Sequence, residues 1–226
     1  MTIRRDWVLD YTVDDVIRSQ SADPVSIRAR RPRLVEISER ALEHGHELIE
    51  PAVLMKRLPV TKAQHNRVTL ANGSHLTGPL ITEHLGGAQD VVVMLCTIGN
   101  KLEARALAES ETNLSYGFAL DAVGSAATHS LSAAACNQVE HEASAVGLQT
   151  SLPLSPGMEG WDVDPGQREI FSIVDSEHLG VVVSPTLMMR PLKSLTVVIG
   201  IGADIASKGA ICDYCTLRDT CRQRVA

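Results

Sequence analysis

The chain has 226 residues, a formal net charge of −6 and 44% hydrophobic residues, which suits a globular domain with a sizeable core rather than a disordered chain. The negative charge argues against general nucleic-acid binding, which needs a positive field. No apolar run has the form of a secretion signal or the roughly 20 residues of a membrane span. Five cysteines, an odd number with three clustered, fit a reducing compartment. We therefore expect a cytoplasmic protein with no nucleic-acid and no membrane partner.

Two helices are predicted before the first strand. Residues 12–20 begin with Thr12 and carry Asp15 three positions later, which is the spacing of a capping box. Residues 33–50 place apolar side chains at helical spacing on one face, and Pro51 ends that pattern.

The next segments read as strands. Residues 52–60 and 65–76 are short strand candidates, and Asn72-Gly73 is a strong hairpin-turn signal. Residues 90–99 form a continuous apolar run, which predicts a strand buried on both faces.

A long helix is predicted in the middle of the chain. Asn100 stands where it would cap a helix over residues 101–110, and a longer helix follows over residues 116–146. The longer segment is rich in alanine, serine and glycine, which let other backbones approach closely. We therefore expect it to be central and well covered.

The character of the sequence changes at residue 148. Residues 148–167 are rich in glycine and proline and predict an irregular loop. A helix or turn and two strands, over residues 181–189 and 194–202, are predicted to follow. The order of the elements predicts an α+β fold, and no internal repeat or low-complexity linker divides it.

Three short motifs between Leu154 and Gly200 resemble, in order and spacing, the reactivation domain of cobalamin-dependent methionine synthase. They are Ser155-Pro156-Gly157, then His178-Leu179-Gly180, then Met189-x-Pro191-x-x-Ser194. The elements before residue 154 are compatible with stand-alone versions of that domain. The resemblance implies a strongly curved antiparallel sheet with central helices, formed by a body over residues 1–205.

The resemblance also implies a function. The family domain binds S-adenosylmethionine and presents it to a cobalt corrinoid carried by a partner, either a corrinoid-binding protein or a methyltransferase. Corrinoids that lose an electron become Co(II), which cannot accept a methyl group. Transfer of the sulfonium methyl group to the small Co(I) population pulls the unfavourable reduction forward, while the protein supplies position and electrostatics.

The family's ligand loop matches residues 155–161 of this chain. The backbone of Gly157 would approach a ligand closely, and Trp161 would stack on an adenine ring. Where the family has an arginine this chain has Pro153, and Met158 replaces a tyrosine, so weak or absent S-adenosylmethionine binding is expected. The alternative is a structural turn that covers the sheet. The candidate ligand residues of the loop are Ser155, Pro156, Gly157, Met158 and Trp161.

A carboxylate of the long helix is the remaining ligand candidate. The negative charge of Glu140 would suit a position facing the sulfonium group of S-adenosylmethionine. The alternative interpretation is an exposed helix carboxylate without a ligand.

Residues 206–226 look like a separate cysteine-rich, metal-binding tail. Cys212, Cys215 and Cys221 have the spacing C-x2-C-x5-C, which resembles the last three ligands of the 4Fe-4S cluster loop in DNA-repair glycosylases. The first ligand of that loop would fall at Ile205 and is absent, so a fourth ligand would come from elsewhere. Zinc and free thiols are the alternatives. The two other cysteines, Cys96 and Cys136, lie in apolar surroundings, so we interpret them as small buried hydrophobic residues rather than as the fourth ligand.

Together these features predict a stand-alone protein for reductive reactivation of a corrinoid-dependent methyltransferase. Its tail would receive an electron from a redox donor, and its curved sheet would dock the corrinoid protein. Two alternatives remain: a subunit of a split cobalamin-dependent methionine synthase, and a non-enzymatic binding module stapled by a metal.

Overall fold

The computed structural model describes residues 1–205, 209–216 and 218. Within them the strands are β1 Thr2–Arg4, β2 Ala52–Gln64, β3 Arg67–Leu70, β4 His75–Thr77, β5 Asp90–Thr97, β6 Gln149–Thr150, β7 Val182–Val183, β8 Met189–Arg190 and β9 Ser194–Gly202. The helices are α1 Val13–Ser19, α2 Pro24–Arg30, α3 Pro32–His46, α4 Pro79–Leu85, α5 Lys101–Ser110, α6 Leu114–Ser144 and α7 Val163–Ile173. Single 3-10 turns lie at Ser176–Leu179 and Ile211–Tyr214.

Seven strands form one curved antiparallel sheet in the order β4-β3-β2-β5-β9-β6, with β1 also paired to β2. The long strand β2 also divides its other pairings along its length: residues 52–59 pair with β5, and residues 60–64 pair with β3. The register with β3 shifts between Val60 and Lys62, and such bulges bend a strand. This arrangement confirms the predicted α+β class with a curved antiparallel sheet.

The central strand β5 buries alternate side chains on opposite faces of the sheet, as its continuous apolar run predicts. On the first face Val92, Met94 and Cys96 join one core cluster. On the second face Val91, Val93 and Leu95 join a separate cluster. The sheet is therefore covered on both sides around β5.

Helix α6 is the centre of the first face. It packs against α1, α3, α5 and the sheet, and its buried positions are mainly alanine, glycine, valine and leucine. At Gly124 an added Cβ would lie 3.1 Å from the side chain of Lys193, and at Gly117 it would lie 2.7 Å from the carbonyl oxygen of Ala106. Small residues thus permit the close approach that the sequence predicted for this helix.

The second face is covered by shorter elements. Leu80, Ile81 and Leu85 of α4 and Ile170 and Ile173 of α7 pack on it, together with the segment that joins β6 to α7. Two hydrogen bonds fix α7: the Thr77 N–H donates to Glu169 Oε2 at 2.9 Å, and the Thr196 hydroxyl donates to Gln167 Oε1 at 2.9 Å.

Several local predictions are confirmed. At α1 the Thr12 N–H donates to Asp15 Oδ2 at 2.8 Å and the Asp15 N–H donates to the Thr12 hydroxyl at 3.4 Å, which is the predicted capping box. The Asn72-Gly73 turn joins β3 to β4, and Gly73 has a φ of 84° there.

Other local predictions were wrong. Asn100 stands at the N-terminus of α5, but its side chain makes no capping bond. The predicted irregular segment, residues 148–167, contains β6 and the first residues of α7. The predicted strand over residues 181–189 is a two-stranded ribbon of two-residue strands, β7 and β8, outside the main sheet.

Across the part of the chain that the structure describes, no helix is both long enough and apolar enough to cross a bilayer.

Candidate functional site

The predicted ligand loop, residues 155–161, runs beside β9 on the second face. The Ser155 hydroxyl donates to the carbonyl oxygen of Thr196 at 2.9 Å, which fixes the start of the loop to that strand. The Gly157 N–H donates to the carbonyl oxygen of Trp161 at 2.8 Å and closes the loop on itself. Gly157 has a φ of 98°, a conformation that glycine adopts without steric cost, so the turn itself accounts for the glycine.

Trp161 is part of the core rather than a surface platform. Its side chain is 1% exposed and belongs to the second-face cluster. An added Cβ at Gly166 would lie 2.8 Å from the indole nitrogen of Trp161, and one at Gly78 would lie 3.4 Å from its ring. The predicted stacking on an adenine ring therefore requires Trp161 to leave the core, because neither ring face is open in this structure.

The loop offers few free donors to a carboxylate. The Met158 N–H donates to the carbonyl oxygen of Ser155 at 3.2 Å, and the Ser155 N–H points to the Met158 sulfur at 3.2 Å. Pro153 has no N–H and no side-chain donor. The methionine moiety of S-adenosylmethionine needs donors for its carboxylate, so the loop fits that ligand poorly in this conformation.

Glu140 lies away from this loop. It projects from α6, the helix of the first face, and lines a cleft of about 530 Å³ at the β6 edge of the sheet, together with Cys136, Thr150 and Pro153. None of Ser155, Pro156, Gly157, Met158 and Trp161 lines this cleft. The structure therefore keeps the predicted ligand residues together within the loop but places Glu140 in a second location.

The Cys136 thiol in this cleft resists ionisation. Burial raises the pKa of Cys136 to about 11, and the charge of Glu140 adds to that rise, while a hydrogen bond with Ser132 opposes it. Cys96 is fully buried, and burial likewise raises the pKa of its thiol. Both cysteines belong to the first-face cluster, as the sequence suggested for small buried hydrophobes.

The described part of the predicted metal tail contains two of the three proposed thiol ligands. Cys212 lies in the 3-10 turn Ile211–Tyr214 and Cys215 directly follows it, and both are half-buried and free. Cys221 lies outside the described residues. Among those that are described, no three histidine, cysteine, aspartate or glutamate side chains lie close enough to hold a metal ion. The described residues alone therefore supply fewer thiols than a cubane or a zinc site requires.

The turn Ile211–Tyr214 packs onto the second face, beside the predicted ligand loop. The Glu159 N–H donates to the carbonyl oxygen of Tyr214 at 2.8 Å. The Tyr214 ring meets the buried His84 ring edge-on, with centroids 4.9 Å apart. The loop and the cysteine turn, which are separate features in the sequence, are therefore neighbours in the structure.

A basic cleft on the other side of the molecule was not predicted from the sequence. Arg30, Arg31, Arg33 and Arg40 line it. The run RARRPR over residues 28–33, in a chain with a net charge of −6, was the available signal.

Comparison with solved structures identifies the fold. No family model matches the chain, and no curated protein matches it significantly in sequence. Among solved structures, the crystal structure of the MetH reactivation domain bound to AdoHcy matches with a TM-score of 0.63 and 12% sequence identity, covering 95% of this chain and 83% of that chain. The likeness thus extends over nearly the whole chain rather than over the three motifs alone. The chain has the fold of the MetH reactivation domain.

Proposed function

We propose that this chain is a reactivation module for a corrinoid-dependent methyltransferase. The observation that carries the proposal is the structural likeness to the MetH reactivation domain over almost the entire chain. In the proposed reaction a donor reduces Co(II) to Co(I) by one electron on the partner protein. Co(I) then takes the methyl group of S-adenosylmethionine, and the sulfonium becomes the neutral thioether of S-adenosylhomocysteine.

The test uses the whole chain and a candidate corrinoid protein in the Co(II) state. With a chemical reductant and S-adenosylmethionine present, we expect the chain to accelerate the formation of methyl-Co(III), followed by its visible absorption. An unchanged rate at equimolar chain would contradict the proposal. A chain that instead supports homocysteine methylation together with separate subunits would favour the split methionine synthase.

The place of the methyl donor is the second part of the proposal. Most donors of the loop over residues 155–161 are bonded within the loop or to Thr196 and Tyr214, so we expect the loop to contribute carbonyl oxygens and apolar contacts at most. The cleft beside Glu140 has a volume of about 530 Å³, which lies in the usual range for small-molecule sites. Glu140 is exposed and forms no ion pair within the described residues, so its negative charge remains available to a sulfonium cation.

Calorimetric titration with S-adenosylmethionine tests this placement. We expect weak binding that Glu140→Gln weakens further. Glu142→Gln is the matched control, because Glu142 lies on the same helix but accepts a hydrogen bond from Gln138 and does not line the cleft. Equal affinities for the two variants would show that Glu140 does not contact the ligand. Loss of binding in Met158→Ala alone would indicate that the ligand binds at the loop of residues 155–161 instead.

The metal tail stays a proposal in which Cys212, Cys215 and Cys221 hold a 4Fe-4S cluster with a fourth ligand from elsewhere. The packing of the Ile211–Tyr214 turn against Glu159 and His84 supports a fixed position for two of these thiols. Anaerobic reconstitution followed by iron and sulfide analysis is the test, with Cys212→Ser expected to lose the cluster and Cys136→Ser to keep it. Colourless protein with stoichiometric zinc would favour the metal-stapled module.

A further inference from the structure

A cleft lies where α2, α3 and α6 meet, away from the loop of residues 155–161. It has a volume of about 830 Å³. Its charged lining consists of Arg30, Arg31, Arg33 and Arg40 against one carboxylate, Glu36. We propose that this cleft binds the phosphate groups of a small ligand of nucleoside diphosphate size.

The arginines of this basic cleft form no salt bridges with acidic side chains of the described residues. Among the described residues, Arg30, Arg31 and Arg33 form no ion pair. The neighbouring Arg28 differs, because its guanidinium lies 2.5 Å from Asp14 and it does not line the cleft. These three exposed guanidinium groups therefore remain available to an anion from outside the chain.

The fourth arginine is held in place. The guanidinium carbon of Arg40 lies 4.6 Å from the centre of the Tyr116 ring, which is a cation–π contact. The hydroxyl of Tyr116 in turn lies 2.7 Å from His44 Nδ1. Arg40 is therefore pre-oriented at the cleft, while its positive charge remains uncompensated.

The backbone adds positive potential to the same place. Arg31 stands at the N-terminus of α3, where no side chain caps the helix, whereas the N-terminus of α6, which also borders the cleft, is capped by the side chain of Asn113. Helix N-termini carry partial positive charge and favour anions. Four arginines at one cleft give it a positive potential, which favours an anionic ligand.

The shape favours a small molecule over a protein surface. The cleft volume lies in the range of small-molecule sites, and Leu34 and Ile37 give it an apolar part suited to a ring. Guanidinium groups match phosphate oxygens with forked pairs of hydrogen bonds, which explains arginine rather than lysine at all four positions.

Titration of the full chain with ADP, inorganic pyrophosphate and adenosine tests the proposal. We expect ADP and pyrophosphate to bind and adenosine not to bind. The double variant Arg31→Gln/Arg33→Gln should lose at least about tenfold in affinity, since each charge-assisted hydrogen bond is worth that much. Arg28→Gln is the matched control and should bind like the parent.

Thermal melting distinguishes phosphate binding by the arginines from a purely structural role of these side chains. Without ligand the double variant should melt at the same or a higher temperature than the parent, and it should lose the stabilisation that ADP gives the parent. Absence of ADP and pyrophosphate binding at millimolar concentration would overturn the proposal. A second result would also overturn it: the chain binds an acidic polyglutamate peptide but not ADP, and the peptide binding depends on Arg31 and Arg33. That result would assign the cleft to a protein partner.

Discussion

Gly117 shows how a single hydrogen atom in place of a side chain sets the distance between two helices. The carbonyl oxygen of Ala106 and the N–H of Ser110, both in α5, would each lie 2.7 Å from a Cβ added at this position. These obstacles are backbone atoms, so no rotamer change relieves the contact. The spacing between α5 and α6 therefore depends on glycine here.

We predict that Gly117→Ala lowers the free energy of unfolding by about 1–3 kcal/mol, the usual cost of overpacking, although alanine is the better helix former. Urea unfolding followed by circular dichroism measures it. Gly87→Ala is the control, because an added Cβ at Gly87 meets nothing within 4 Å, and this variant should keep the parent stability. Equal stability of both variants would contradict the close approach.

The Cys136 thiol gives a second prediction at the scale of one residue. Because its pKa is raised to about 11, the reactive thiolate is scarce below that pH and increases as the pH rises through 11. In the folded protein at pH 8 we expect alkylation of Cys136 by iodoacetamide to be at least about a hundredfold slower than in urea, where the ordinary thiol pKa is about 8.5. Peptide mass spectrometry at timed intervals measures it. Similar rates in both conditions would show that the thiol is not held as described.

Helix α7 is the element on which the covering of the second face depends. Glu169 accepts hydrogen bonds from both the N–H and the hydroxyl of Thr77, so the carboxylate joins α7 to the end of β4. The same helix places Gly166 against Trp161. Loss of this attachment would loosen the edge of the sheet and the burial of the indole together.

We predict that Glu169→Ala lowers stability by about 1–3 kcal/mol, because it leaves the half-buried donors of Thr77 without a partner. Hydrogen exchange should increase in β4 and α7 first, and Trp161 fluorescence should shift to longer wavelength as water reaches the ring. Glu177→Ala, at an exposed position, is the control and should change neither signal. A variant with unchanged exchange in β4 would contradict this role of Glu169.

The elements that the sequence predicted correctly are those with strong local signals. The apolar run of β5, the Thr12–Asp15 capping box and the Asn72-Gly73 turn each carry their own physical reason in a few residues. The short helices α2 and α4 were missed although each begins with a proline at its first position. Seven residues give too little periodicity to distinguish a helix from a loop.

The candidate site was less predictable because burial is a property of the assembled fold. Trp161 reads as an exposed loop aromatic, and only the packing of α4 and α7 around it makes it a core residue. Glu140 and the loop are close in sequence order, yet α6 and the loop lie on opposite faces of the sheet. The run RARRPR signals a basic segment, but the cleft itself forms only where three helices meet, and the sequence does not indicate that meeting.

At the scale of the whole molecule, the body accounts for nearly all of the described core. Every buried member of the two core clusters lies at or before Ile205, and Tyr214 adds a partly buried ring to the second face. The division into a body of residues 1–205 and a tail of residues 206–226 stays a prediction, and the described part of the tail packs onto the body through Tyr214.

We predict that a chain ending at residue 206 folds cooperatively and is less stable by about 1 kcal/mol, the worth of a hydrogen bond and modest packing. Urea unfolding and far-ultraviolet circular dichroism measure it. Tyr214→Ala in the full chain should reproduce most of that loss. An unfolded truncated chain would show that the tail is part of the folding unit, whereas unchanged stability would show that the Tyr214 contact contributes nothing.

The position of β9 has a consequence for the chain as it is made. β9 pairs with β5 at eight successive positions, from Asp90 with Ile201 to Thr97 with Ser194, so the hydrophobic strand β5 keeps one open edge until residues 194–201 have left the ribosome. Open apolar edges recruit other strands. A message truncated upstream of codon 194 should therefore give a fragment that collects in inclusion bodies, and a chaperone able to shield the β5 edge during synthesis should increase the yield of the full-length protein.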